Sequence, residues 1–180
     1  MPGKMTLILG GARSGKSSYA QNLTEKAGGR VVYVATAEAK DEEMRERIAV
    51  HQAERPANWL TIEAPIRVGK ALRSGIAQAD VVLLDCVTLL TSNVLLGFSE
   101  SATVKEVQHA MDIEIEDLLR VFEQGEADWV IVSNEVGLGL VPAYALGRTY
   151  RDVLGRVNQR LASVADEVLY MVAGLPMKVK

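Results

Sequence analysis

Residues 10–17 read GGARSGKS and satisfy G-x-x-x-x-G-K-[ST] at every position. They follow the apolar run MTLIL and open the helical pattern KSSYAQNLTEKA, the strand–loop–helix context that a phosphate-binding loop requires. Glycines let backbone N–H groups converge on phosphate oxygens, and the helix N-terminus adds a positive dipole end. Gly10, Gly11, Ala12, Arg13, Ser14, Gly15, Lys16 and Ser17 are therefore expected to bind nucleotide. Lys16 would neutralise the β- and γ-phosphates, and the Ser17 hydroxyl would ligate Mg²⁺.

The rest of the chain repeats the alternation. Apolar runs at residues 31–35 (VVYVA), 81–86 (VVLLDC), 129–133 (WVIVS) and 167–172 (EVLYMV) read as buried strands, with WLTIE (59–63) and MKVK (177–180) as short ones. Helical patterns fall at residues 42–54, 66–78, 104–122 and 147–165. Strands apolar throughout are buried on both faces, and their alternation with helices implies a mostly parallel sheet with helices on both faces. The expected fold is α/β, of the P-loop NTPase (RecA-like) class, with residues 1–180 as a single domain.

A net charge of −3 argues against bulk attraction to nucleic acid or an anionic membrane. The most apolar stretch, VVLLDCVTLL, is too short to span a bilayer and carries Asp85. No signal peptide is visible, and a lone cysteine, Cys86, suits a reducing cytoplasm. Cys86 itself reads as a small buried residue.

Asp85 ends the VVLLD run, where a carboxylate can hold Mg²⁺ directly or through water; the plainer reading is an aspartate that starts a turn. A switch GTPase would need D-x-x-G after that strand and N-K-x-D for guanine; DCVT and SNEVG stand there instead. His51 follows Met44 by seven residues and Ile48 by three, so it shares a helical stripe with them. That stripe alone reads as packing. Arg47 and Arg55, about a turn to either side, suit a triphosphate better than a core. The residues by themselves leave His51 open between a packed side chain and a nucleophile.

GGARSGKS, R-I-x-x-H-x-x-x-R-P-x-x-W, LLDCVTLLTSN, N-E-V-G-x-G-x-V-P and G-R-V-N-Q-R-L-A occur in order along nearly the whole chain. Together they resemble the bifunctional adenosylcobinamide kinase/adenosylcobinamide-phosphate guanylyltransferase family of cobalamin biosynthesis. The resemblance implies two reactions. A nucleoside triphosphate, ATP or GTP, phosphorylates adenosylcobinamide; GTP then donates GMP to adenosylcobinamide phosphate through a guanylylated histidine. That histidine maps onto His51, which joins Lys16 as a catalytic residue. Ala35, Thr36, Ala37, Gln52, Ala53, Glu54, Arg55, Glu63 and Asp85 map onto nucleotide-binding positions, and Ser17 and Asp85 onto metal ligands. A homotrimer is implied as well. A neutral imidazole is a good nucleophile near pH 7, and a phosphoramidate splits one hard displacement into two.

Other residues keep two readings. Glu63 could accept from the guanine N1–H and N2 amine or be an exposed strand end. Glu135 could be a base for the substrate hydroxyl or fix its loop. Arg148, Arg151, Arg156 and Arg160 line one helix, as phosphate clamps or as solvated side chains. His109, Trp59 and Trp129 read as structural. A small-molecule kinase with a structural His51 and a non-catalytic nucleotide-binding regulator are the other classes that a P-loop in this setting allows.

Overall fold

The computed structural model describes residues 1–39, 42–53, 55–76, 78–99 and 101–180, with the backbone alone for Glu43 and Arg47. Thirteen elements alternate along the described chain: β1 (Met5–Gly10), α1 (Lys16–Ala27), β2 (Val31–Ala35), α2 (Glu42–Ala53), β3 (Leu60–Glu63), α3 (Val68–Arg73), β4 (Val81–Asp85), α4 (Val87–Leu96), α5 (Val104–Gln124), β5 (Asp128–Val132), α6 (Ala145–Val164), β6 (Glu167–Val172) and β7 (Leu175–Lys178). The strands form one sheet of seven in the order β3-β2-β4-β5-β1-β6-β7. Every neighbouring pair is parallel except β6–β7, a hairpin.

Helices cover both faces, as the all-apolar strands require, but unequally. On one face Leu7, Val34, Val82, Leu84 and Ile131 meet Leu72 of α3, Leu90 of α4, Met111, Ile115 and Leu118 of α5, and Leu154 and Leu161 of α6. The other cluster is smaller: Ile8, Tyr33, Leu83, Val130, Val132 and Met171 lie with Tyr19, Ala20 and Leu23 of α1. No described side chain of α2 is buried.

Two elements differ from expectation. The helix expected over 66–78 shrinks to α3. Arg67, at its N-terminal end, takes a left-handed φ of 56°, and the Glu114 carboxylate accepts from the N–H groups of Arg67 and Val68. At the other end the N–H groups of Gly75 and Ile76 both fold back onto the Leu72 carbonyl. α4 was not expected. Its VTLLTSNVLL is rich in residues of low helix propensity, yet Val87, Leu90, Thr91 and Leu95 are buried. Tertiary burial outweighs local preference there. Strand ends shift by about a residue from the apolar runs, and the Tyr150–Leu161 stripe of α6 packs inward while Val164, at its end, is exposed.

A polar chain ties α6 to the end of β5. Buried Ser133 donates to Asn158 Oδ1 at 2.7 Å, and Asn158 Nδ2 donates to the Asn134 carbonyl at 2.9 Å. The Asn134 N–H donates to Thr88 Oγ1 at 2.7 Å. Asn158→Ala would leave the Ser133 hydroxyl unmet in the core, so it should cost about 2 kcal/mol in urea unfolding, with an unchanged m value.

Candidate active site

The loop between β1 and α1 closes on its own lysine. Arg13 and Gly15 take left-handed φ values of 57° and 91°, the kind of backbone that turns successive N–H groups to one side as an anion nest. A side chain at Gly15 would meet the Gly174 backbone at 3.1 Å. Gly174 belongs to the β6–β7 turn, which donates its N–H to the Ser14 carbonyl at 3.0 Å. Lys16 is 7% exposed and donates through Nζ to the Gly11 carbonyl at 2.5 Å and to Ser14 Oγ at 3.4 Å. Burial holds its pKa below the ordinary lysine value, and the acidic groups of Cys86 and Asp85 oppose that shift. An arriving phosphate would supply the negative partner that a buried ammonium lacks.

Asp85 stands abreast of Ala35 on β2 and Val132 on β5. Its Oδ2 accepts from the Tyr33 hydroxyl at 3.1 Å. Burial, with Asp85 beside it, pushes the Tyr33 pKa far up, so the phenol stays a donor. Burial and Asp85 also raise the Cys86 thiol to about 11, which removes it as a nucleophile at neutral pH.

A cavity of about 1040 Å³ opens at these strand ends, ample for a nucleotide. Ala12, Arg13, Ser14, Gly15, Lys16, Ser17 and Asp85 line it, and so do Ala35, Ala37, His51, Gln52, Arg55 and Glu63. Two groups of residues far apart in sequence thus share one space. The half-buried stripe of α2, namely Met44, Ile48 and His51, borders this cavity and contributes nothing to the buried core. Gln52 Nε2 donates to Glu63 Oε1 at 3.4 Å, joining the end of α2 to the end of β3.

Other candidates stand apart. Gly10, Gly11, Thr36 and Ala53 do not line the cavity. Thr36 is fully buried behind it: its Oγ1 accepts from the Cys86 N–H at 2.8 Å and donates to the Cys86 carbonyl at 2.7 Å. Glu54 and the Arg47 side chain lie outside the described residues. Glu135 accepts from the Gly137 N–H through Oε1 at 2.5 Å, so its carboxylate holds its own turn. Arg148 donates to the carbonyls of Pro142 and Ala143, bracing a loop, and none of the four α6 arginines lines the cavity. His109 is exposed and Trp129 is buried in the core.

The structure adds Tyr33, Thr88, Leu89 and Asn134 to the lining. Asn134 follows β5, which lies between β4 and β1 in the sheet. It opens the N-E-V-G motif, but that it faces the cavity is not written there, because sheet order is not set by any single segment. Among the described residues no group of three or more His, Cys, Asp or Glu side chains could hold a metal. Ser17 and Asp85 both line the cavity and could supply the one or two protein oxygens that Mg²⁺ takes beside phosphate and water.

A family model described as Cobinamide kinase / cobinamide phosphate guanyltransferase matches residues 6–179. The chain is 40% identical over 181 residues to the Bifunctional adenosylcobalamin biosynthesis protein CobU of Salmonella typhimurium, covering 98% of this chain and 99% of that protein. It is 39% identical over 181 residues to the protein of the same name from Escherichia coli, with the same coverage of 98% and 99%. It is 43% identical over 174 residues to the Bifunctional adenosylcobalamin biosynthesis protein CobP of Pseudomonas aeruginosa, covering 97% and 96%. In fold it is similar to the RadB recombinase, with a TM-score of 0.52 at 16% identity over 94% of this chain and 74% of that one. That likeness bears out the P-loop α/β architecture.

The raised thiol pKa gives a probe of the cavity. At pH 7.5 iodoacetamide should modify Cys86 about a hundredfold more slowly than a free cysteine, with the rate climbing as pH nears 11. Bound nucleotide should slow it further.

Proposed function

The chain belongs to the cobinamide kinase / cobinamide phosphate guanyltransferase family and is a transferase of cobalamin biosynthesis, and from that premise we propose that both reactions use the one cavity, with His51 as the residue that carries GMP. The observation behind this reading is the stripe of α2, which borders the same space as the P-loop. A histidine kept for packing would face the core.

In the first reaction the P-loop N–H groups, Lys16 and the N-terminus of α1 hold a triphosphate, ATP or GTP, and the hydroxyl of adenosylcobinamide attacks the γ-phosphorus; a new P–O bond forms, the bond to the β-phosphate oxygen breaks, the nucleoside diphosphate leaves and the hydroxyl proton passes to solvent. In the second, GTP binds and an imidazole nitrogen of His51 attacks the α-phosphorus. A P–N bond forms and the bond to pyrophosphate breaks. A phosphate oxygen of adenosylcobinamide phosphate then attacks the same phosphorus, displaces the histidine and yields adenosylcobinamide-GDP. Arg55 offsets the charge on the transferring group, and Glu63 pairs with the guanine edge. Ser17 and Asp85 would hold Mg²⁺, whose charge favours both departures.

No described helix is long and apolar enough to cross a membrane. We place the protein in the cytoplasm as a homotrimer, a reading supported by exposed Val172, Leu175 and Met177 along the β6–β7 edge. Light scattering should then give three times the 19.5 kDa chain mass.

The central test uses GTP labelled at the α-phosphate. After denaturation the protein should retain label that is acid-labile, base-stable and absent from His51→Ala. Lys16→Ala should lower phosphoryl transfer at least about a hundredfold. Normal GTP binding with no retained label would remove His51 from the chemistry.

A further inference from the structure

Tyr33 lines the cavity and touches both Asp85 and Arg55. It is 6% exposed, on β2, which is paired on both sides by β3 and β4. Its hydroxyl holds Asp85. The Arg55 guanidinium carbon lies 3.7 Å from its ring centroid. Trp59 stacks on it, with centroids 6.4 Å apart and planes at 28°. Arg55 and Trp59 bracket the connection between α2 and β3, so both ends of that connection close on one ring.

The electrostatics make Arg55 depend on this contact. Its Nε is buried and has no hydrogen-bond partner among the described residues. A buried guanidinium nitrogen without an acceptor is costly, and the negative face of an aromatic ring is its compensation. The described side chains of α2 bury nothing in the core, so core packing does not fix where the helix sits. Contacts at its C-terminal end help to do so: Gln52 bonds Glu63, and Arg55 just beyond the helix rests on the Tyr33 ring. His51 precedes Arg55 by four positions and takes its place from the same seat.

We infer that Tyr33 is a positioning residue for guanylyl transfer: its ring seats Arg55, and through Arg55 sets where His51 meets the α-phosphorus. This rests on the reading of His51 as the nucleophile. A ring that served only as filler would be indifferent to its π-electron density, whereas a seat for a cation is not.

The test replaces Tyr33 with phenylalanine, 3,5-difluorophenylalanine and 3,4,5-trifluorophenylalanine. These side chains are nearly the same size, so the fold is kept while the ring face is progressively depleted of charge. All three lack the hydroxyl, so Tyr33→Phe is the reference within the series. The rate of covalent labelling at saturating GTP should fall stepwise, about tenfold from the phenylalanine to the trifluoro variant. Across the series, again relative to Tyr33→Phe, the kcat for phosphoryl transfer to cobinamide should not follow the ring's charge and should vary by less than about twofold. A flat labelling rate overturns the role of Tyr33, as does a parallel fall of both activities. A wild-type protein with no label that His51→Ala removes overturns the His51 reading, and this role with it.

Discussion

One row of parallel hydrogen bonding places nearly every group in the cavity. Ala35, Asp85 and Val132 stand abreast, with Ile8 beside Val132, so β2, β4, β5 and β1 end at almost the same level. Parallel strands present their C-terminal ends together, and the chain must leave each of them toward a helix. The P-loop leaves β1, Asp85 closes β4, and Asn134 lies just past β5. Thr36 locks the row by bonding both backbone groups of Cys86.

The two faces of the sheet divide the work of stability and of binding. The larger cluster, under α3, α4, α5 and α6, carries most of the buried apolar surface and with it most of the hydrophobic stabilisation. The α1 face carries a smaller cluster, and Tyr33, Ala35 and Val132 belong to both that cluster and the cavity wall. A buried lysine is tolerated there because its loop supplies a carbonyl and a hydroxyl as partners. That arrangement is poised for an anion, since the loop donates to nothing as strongly charged as a phosphate.

On the proposed reading, in which both transfers use one space, two sets of groups must be registered against each other. β2 sits between β3 and β4, and so between the Asp85 side and the α2–β3 connection. The Tyr33 hydroxyl reaches the first and its ring the second. A single buried side chain on a strand held on both sides is a better ruler than a loop.

Much was legible in the residues alone. GGARSGKS, its strand and its helix are contiguous, so the P-loop follows from local pattern. The buried strands follow from unbroken apolar runs, and α5 from its three- and four-residue spacing. The family motifs carried His51, Arg55, Glu63 and Asp85 to one site without showing how they meet. Tertiary structure decided the rest, because the deciding contacts are far apart in sequence. α4 is a helix because the fold buries Val87 and Thr91 with Leu90, against the low helix propensity of valine and threonine. The stripe of α2 fits a core or a cavity equally well as a pattern; only the tertiary structure brings it to the same space as the P-loop and Asp85. Tyr33 reads as one more apolar residue of VVYVA until Asp85, 52 positions on, and Arg55 are brought to its two ends. A sequence records which side chains are available at each step, and the pairing of distant strands determines which of them share a space.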